Sequence, residues 1–345
     1  MNPASDALAI NTETSQRIPM RDAVDVFNGD ADGLLARHQF RLTHPIAPEE
    51  VTLITGVKRD IALLDRIVNT QAVSQERRIN VFDVSYDRNA KAAETLLAGG
   101  AYVIYFDHHR AGLKQPHPLL TAFIDESPDT CTSLLVDRYC GGAHRLWAIA
   151  AAFGDNLSGV GRQLAAEASL SSAQTSQLRM LGECLNYNAY GESVEDLHYH
   201  PAQLAARLHP YTDPFEFIER EDILPLLQAG RDEDLANALA IESTHASHIA
   251  AVYMLPDAAW ARRVSGVFAN YLVHTHPRRA HAVLTPQTGG GVTVSIRAPA
   301  SSPRDAVRIA RRFENSGGRE IAAGIESFPI DQLPKLVDAL EDTYR

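Results

Sequence analysis

"INVFDVSYDRNAKAAETLLAGGAYVIYFDHHRAG", residues 79–112, decides how the rest of the chain is read. A short apolar run (INVF) gives way to a helical pattern that stops at Gly99-Gly100. A second apolar run (YVIYF) follows. The runs are continuous rather than alternating, so they suit strands buried on both faces, as in a parallel sheet. The glycine pair is a helix-stop signal. Each run ends on polar chemistry: Asp83 after the first, and Asp107, His108 and His109 after the second. Burial favours neither a charge nor imidazoles there, so these residues call for a functional reason.

Working outward, the same kind of run recurs in "AVDVF" (23–27), "VTLIT" (51–55) and "TAFI" (121–124). Helical patterns lie between them in "LLARHQFRLT" (34–43) and "RDIALLDRIVN" (59–69). Strand–helix alternation of this kind predicts an α/β unit with a parallel sheet and right-handed crossovers. We assign 1–17 to a disordered tail, 18–160 to this first α/β domain and 161–245 to a helical connector. Residues 246–345 form a smaller C-terminal α/β domain, with a cleft between the two. In the smaller domain "IAAVYML", "AHAVLTP" and "GVTVSIRAP" read as strands. A helix is expected from the capping signature at Ser302, Pro303 and Asp305 to Gly317-Gly318, and a last one in "DQLPKLVDALEDTYR".

The chain has 345 residues and is 45% hydrophobic, enough to bury a sizeable core. Its 32 basic and 43 acidic residues give a net charge of -11, which argues against a protein that simply coats nucleic acid. Cys131, Cys140 and Cys184 show neither metal-ligand nor redox spacing and fit a reducing compartment. The first residues contain no apolar signal core, and the longest apolar run, "LWAIAAAF" (146–153), is too short to span a bilayer. The expectation is a cytoplasmic protein with no membrane association.

The chemistry gathers at the carboxyl ends of the strands, where open parallel sheets bind ligands. After "AVDVF" come Asn28, Gly29, Asp30, Ala31, Asp32 and Gly33; Asp83 and the Asp107–His109 triplet follow the next two runs. Asp155 follows "LWAIAAAFG". Acids brought to one spot repel one another unless a cation neutralises them. Carboxylates with one or two imidazoles suit Mn²⁺ or Mg²⁺ better than a thiolate-bound ion.

In order along the chain, "DADG" (30–33), Asp83, "DHH" (107–109) and "GD" (154–155) resemble the four motifs of the DHH phosphoesterase family. "GGREIAAG" (317–324) resembles the glycine-rich signature of that family's associated C-terminal domain. The resemblance spans about residue 22 to the C-terminus. It implies that Asp30 binds one Mn²⁺ ion and Asp32 a second, with Asp83 bridging them and His108 and Asp155 completing the second site; Mg²⁺ is the alternative ion. It also implies that His109 faces the substrate phosphate as hydrogen-bond donor or general acid, with Asp107 orienting a neighbouring histidine. Two ions roughly 3.5–4 Å apart are the arrangement used for phosphoester cleavage. Two positions depart from the family pattern. Val26 stands where many members carry a histidine, leaving Asn28 as a candidate ligand for the first ion. Arg319 stands where the C-terminal signature often has a histidine, which keeps a cationic donor for phosphate.

In "VTVSIR" the apolar Val292, Val294 and Ile296 alternate with Thr293, Ser295 and Arg297, so Arg297 is expected to point from a strand into the cleft. Gly317 and Gly318 offer backbone N–H groups as an anion nest, with a plain helix cap as the competing reading. His198 and His200, and His274 and His276, have H-x-H spacing but no acids placed near them, and we read them as surface or packing residues.

The reading is therefore a metal-dependent phosphodiesterase acting on short oligonucleotides or linear dinucleotides. The alternatives are a RecJ-like single-strand exonuclease, a small-molecule phosphatase and a non-catalytic nucleotide-binding protein. No dense basic and aromatic interleaving supports a long single-strand channel. A homodimer is compatible with the sequence but not indicated by it.

Overall fold

The computed structural model describes residues 23–69, 77–112 and 116–345. The tail assigned to 1–17 lies outside the described residues. Five parallel strands form the first sheet: β1 (Ala23–Asn28), β2 (Val51–Gly56), β3 (Arg78–Phe82), β4 (Tyr102–Asp107) and β5 (Leu120–Ile124). Their order is β2-β1-β3-β4-β5. The order reverses beside β1, so the crevice outside β1 and β3 is the topological switch point, the place where such sheets bind ligands.

Helices α1 (Ala31–Thr43), α2 (Leu63–Asn69) and α3 (Tyr86–Ala98) cover the sheet. Val24, Val26, Ile79, Val81 and Val103 pack with Leu63, Leu64, Leu96 and Leu97 of α2 and α3. Phe27, Phe82 and Phe106 pack with Leu34, Leu35 and Phe40 of α1. Both faces are thus buried, which explains the unbroken apolar runs.

Helix α1 is buried from Ala31 to Arg41 even though it carries Arg37 and Arg41. Asp25, fully buried in β1, supplies the compensation. It accepts from Arg37 Nε at 2.9 Å, from Arg41 Nε at 2.8 Å and from Asn80 Nδ2 at 2.9 Å. Burial alone pushes the Asp25 carboxyl up, and the two guanidiniums more than reverse this, holding it below the usual range.

Helices α4 (Thr132–Tyr139), α5 (Arg145–Gly154), α6 (Ser158–Glu167), α7 (Ser172–Asn188), α8 (Pro201–Leu208), α9 (Pro214–Arg220) and α10 (Ile223–Leu239) follow. Leu178, Leu181, Leu204, Phe217 and Leu227 of this group share one apolar core with α1 and the sheet. Helices α5 and α7 cross closely because both carry glycine at the crossing. A Cβ on Gly182 would lie 1.9 Å from the Ala150 carbonyl oxygen, and one on Gly154 would lie 2.5 Å from Ala31 Cβ. This crossing fixes where Asp155, at the end of α5, is held.

The second sheet has the order β10-β11-β9-β8-β7-β6. Its strands are β6 (Ser243–Ala246), β7 (Ala250–Met254), β8 (Ala280–Pro286), β9 (Val292–Arg297), β10 (Ser316–Gly318) and β11 (Ala322–Phe328). Among the described residues, β7 and β8 pair in parallel and the other pairs of this sheet are antiparallel. Helices α11 (Ala259–Thr275), α12 (Ala306–Ala310) and α13 (Leu333–Tyr344) accompany it.

Strands β7, β8 and β9 and the last helix of this unit lie where the sequence places them, and β11 gave no strand reading. Three further features differ. The polar edge strand β6 falls in a stretch expected to be helical, and α11 gave no sequence reading. The helix expected over 302–318 is one short turn of α12; Asn315, with φ 51°, reverses the chain, and Gly317-Gly318 lies in β10 rather than at a helix end. Among the described residues, no helix is long and apolar enough to cross a membrane.

Candidate active site

Three parallel strands deliver the site. The turn after β1 is closed by Asp30, which caps α1 by accepting from Gly33 N at 3.0 Å. Gly33 is required there, because a Cβ would lie 2.4 Å from the Asn28 carbonyl oxygen. One residue into α1, Asp32 turns its carboxylate across to α4 and accepts from Thr132 N and Ser133 N, both at 2.7 Å. That is a carboxylate on a helix N-terminus, where the orphan N–H groups and the dipole favour a negative charge.

Asp83, just past β3, has φ 58°, a backbone conformation that a non-glycine residue adopts only where the surroundings impose it. Its N–H bonds to the Phe106 carbonyl at 3.0 Å, which turns the side chain over the end of β4. Asp83 Oδ1 accepts from Thr132 Oγ1 at 3.0 Å and lies 3.4 Å from His108 Nε2 and 3.7 Å from His109 Nδ1. One ligand atom from each of Asp83, His108 and His109 falls within 4.8 Å of the others, the spacing of a metal site.

His108 Nε2 also lies 3.9 Å from Asp32 and 3.8 Å from Asp155 Oδ2, while its Nδ1 is 3.2 Å from the Thr130 carbonyl. The backbone carbonyl fixes one ring nitrogen and leaves Nε2 aimed at three carboxylates. Asp107 is fully buried and organises the histidine beside it. Its Oδ1 lies 2.7 Å from His109 Nδ1 and accepts from His109 N at 3.1 Å, while Oδ2 accepts from Tyr86 N at 2.9 Å. His109 Nε2 is then the ring's remaining donor.

Electrostatics show a site with more negative charge than its own cations balance. Burial raises the Asp83 pKa, the Asp32 and Asp30 charges add to this, and the carboxyl sits well above its ordinary range. Burial and the Asp32 charge also raise Asp155, against opposition from Lys58 and His108. Burial would lower His108, but the Asp83 hydrogen bond and the surrounding carboxylates raise it to about 10. Burial is outweighed in the same way at His109, where the Asp107 bond and the Asp83 charge raise it to about 9. Raised carboxyls beside raised imidazoles mark a site where acids crowd together and a cation is favoured. The donor set Asp32, Asp83, His108 and Asp155 therefore fits a divalent cation of the oxygen-and-imidazole class.

The remaining expected ligands are engaged elsewhere. Asn28 spends its amide on the backbone: Oδ1 accepts from Asp30 N at 3.2 Å and Nδ2 donates to the Lys58 carbonyl at 3.1 Å. Asp30 is paired with the Lys58 ammonium, which outweighs the effect of burial and holds this carboxyl below its usual range. Sequence reasoning missed Lys58, Thr132 and Asn186. Lys58 lies two residues past the end of β2, so the strand-end rule that found the acids would have found it had basic residues been included.

The substrate-side residues divide into two groups. Arg297 donates to Asn270 Oδ1 at 2.8 Å and to Ser295 Oγ at 2.9 Å, and among the described residues no carboxylate pairs with it. It lines a cavity of about 300 Å³ with Gly154, Asn156, Asn186 and Tyr190, so the second sheet faces the Asp155 side of the cluster. Gly317 lines a separate cleft of about 520 Å³ with Arg59, Arg88 and Ser316. Gly318 and Arg319 do not line it, and Arg319 is exposed at the β10–β11 turn, its N–H bonded to the Ala322 carbonyl at 2.8 Å. Arg59 also donates to Thr293 Oγ1 at 3.1 Å, joining the two sheets' units. The acid-and-imidazole cluster borders these cavities rather than lining them. Of the H-x-H histidines, His198 Nε2 lies 2.9 Å from Tyr187 Oη and His200 caps α8 through Ala202 N at 3.1 Å; both are structural.

No protein-family model and no curated protein matches the chain. Solved structures do. A DHH domain from a member of a ribosomal-protein family aligns with TM-score 0.61 at 14% identity, covering 94% of this chain and 86% of that one. The exonuclease RecJ bound to manganese aligns with TM-score 0.61 at 17% identity, over 96% and 92%. The chain has the fold of the DHH-domain proteins. RecJ of Thermus thermophilus in complex with Mn²⁺ aligns with TM-score 0.60 at 19% identity; this chain covers 53% of its length, about half. Neither the fold nor these comparisons supports the homodimer.

Proposed function

We propose that this DHH-fold chain is a metal-dependent phosphodiesterase acting on short oligonucleotides or linear dinucleotides in the cytoplasm. The observation that carries the reading is the convergence of Asp83, His108 and His109, flanked by Asp32 and Asp155, at the β1/β3 switch point. The fold shared with manganese-bound RecJ supports a nucleic-acid phosphoester as substrate class.

Asp32, Asp83, His108 and Asp155 would hold a divalent cation, Mn²⁺ or Mg²⁺, which when bound supplies Lewis acidity toward a phosphoryl oxygen and the attacking water. The chain's own groups do the rest. Thr132 and the α4 N-terminus hold Asp83 and Asp32 in place. Water forms the new bond to phosphorus and releases one proton to solvent as the P–O bond to the leaving nucleoside breaks; the departing oxygen takes a proton from His109 Nε2, which is reprotonated from solvent. Asp107 keeps that proton available by holding Nδ1. Arg297, with no carboxylate partner among the described residues, binds a second phosphate or the terminal sugar.

The test is Mn²⁺-dependent hydrolysis of a 5′-phosphorylated dinucleotide beside a single strand of about 20 nucleotides, with His108→Ala as control. Faster turnover of the dinucleotide supports the short-substrate reading. Processive degradation of the long strand makes the protein a RecJ-like exonuclease, and no hydrolysis of either refutes both.

A further inference from the structure

The DHH resemblance implies two ions, one of them on Asp30. In this chain that place is already taken. Lys58 Nζ contacts the Asp30 carboxylate directly, lies 3.2 Å from Asn186 Oδ1 and 3.8 Å from Asp155 Oδ1, and sits 5.9 Å from the centre of the Tyr190 ring. Two carboxylates, an amide oxygen and an aromatic face thus surround one ammonium group.

The backbone of Lys58 is pinned at both ends. Its N–H donates to the Ala189 carbonyl at 2.9 Å, and its carbonyl accepts from Asn28 Nδ2 at 3.1 Å. The side chain is therefore delivered to the site by the end of α7 and the turn after β1, rather than resting there by chance. Asp32 carries only neutral N–H donors, whereas Asp30 already holds a cation: its Oδ1 accepts from Gly33 N at 3.0 Å and its Oδ2 is on the ammonium. Val26, where many family members carry a histidine, is fully buried in the apolar layer against α2 and α3 and supplies no donor.

We propose that the Lys58 ammonium replaces the first metal ion, so that the centre takes a single divalent cation, held by Asp32, Asp83, His108 and Asp155. This rests on the phosphodiesterase reading for the identity of the site. A tethered ammonium supplies one positive charge and, beyond the N–H groups on Asp30 and Asn186, one further donor next to the reacting phosphate. It cannot ionise a bound water as a divalent ion does. The bridging role expected for Asp83 is then absent, and Asp83 serves one ion.

The experiment is Mn²⁺ binding to the full chain, read as ions per chain by equilibrium dialysis with metal analysis and as the electron paramagnetic resonance spectrum of the loaded protein. The expected result is one Mn²⁺ per chain with the six-line spectrum of an isolated ion. Lys58→Ala and Lys58→Gln, which remove the charge, are expected to rise to two ions per chain and to show the many-line spectrum of a coupled pair. Two coupled ions in the unaltered protein overturn the replacement while leaving the hydrolase reading intact. So do folded Lys58 variants that stay at one ion. A protein that binds no Mn²⁺ overturns both the replacement and the metal-dependent reading beneath it.

Discussion

Replacing Asp107 by asparagine changes the site by one atom type and probes the proposed proton donor. The carboxylate accepts three hydrogen bonds, from His109 Nδ1 at 2.7 Å, His109 N at 3.1 Å and Tyr86 N at 2.9 Å. An amide of the same shape can accept on one side only. In either orientation an NH₂ group faces an N–H it cannot satisfy: if it faces His109, the ring must turn Nδ1 into an acceptor, and the imidazolium loses its stabilising charge. Hydrogen bonds to a charged group contribute about 1.5–3 kcal/mol each, and a positioned acid contributes roughly 10²–10⁴-fold to rate. We therefore expect kcat to fall about 10²-fold with KM little changed. The pH profile carries the sharper signature. A donor must be protonated, so activity persists below its pKa and is lost above it. His109, raised to about 9, should hold the alkaline limb of the unaltered enzyme near that pH. In Asp107→Asn that limb should move toward the ordinary histidine range. The assay is kcat and KM from pH 6 to 10 at saturating Mn²⁺, with melting temperature as a fold control. An unchanged alkaline limb, or a loss confined to KM, refutes the assignment of His109 as donor and Asp107 as its positioning residue.

Three further outcomes follow from other parts of the molecule. Asp25→Asn leaves Arg37 and Arg41 buried without their counter-charge and should cost about 3–5 kcal/mol in denaturant unfolding. Because the folded Asp25 pKa lies below its unfolded value, its stabilisation is present above about pH 4 and lost as pH falls through the folded value; the variant's acid unfolding should be correspondingly shallower, and a parallel pH dependence would contradict this. Gly182→Ala puts a methyl 1.9 Å from the Ala150 carbonyl oxygen, where backbone must give way, so a loss of about 3 kcal/mol or more is expected and an unchanged denaturation midpoint would show that α5 and α7 separate freely. Arg297→Ala should raise KM about 10–100-fold with kcat nearly preserved, and lysine should not restore it; an unchanged KM removes Arg297 from substrate binding.

The sequence exposed the first sheet because β1, β3 and β4 are buried on both faces and so read as unbroken apolar runs between helical patterns. It exposed the cluster for a related reason: in a parallel sheet every strand's carboxyl end faces the same side, so Asp30, Asp83 and His108 had to converge. Lys58 escaped because a basic residue after a strand looks like any solvated charge until Asp30 and Asn186 are seen around it. Strand β6, "STHA", is a polar edge strand with no apolar pattern to betray it. The segment 302–318 carried helix signals at both ends, but Asp305 takes φ 71° without capping through its side chain, and Asn315 reverses the chain, which leaves one short helical turn. The division between Arg297 in one cavity and Gly317 in another depends on how two sheets face each other, which no local pattern encodes.

The most direct test of the central claim is Mn²⁺-dependent hydrolysis of a 5′-phosphorylated dinucleotide by the unaltered protein and by Asp83→Asn. Asp83 is the carboxylate on which His108, His109 and Thr132 all converge, so the account predicts that the variant loses most of its activity and most of its affinity for Mn²⁺ while keeping its fold. Full Mn²⁺-dependent activity in Asp83→Asn would contradict it.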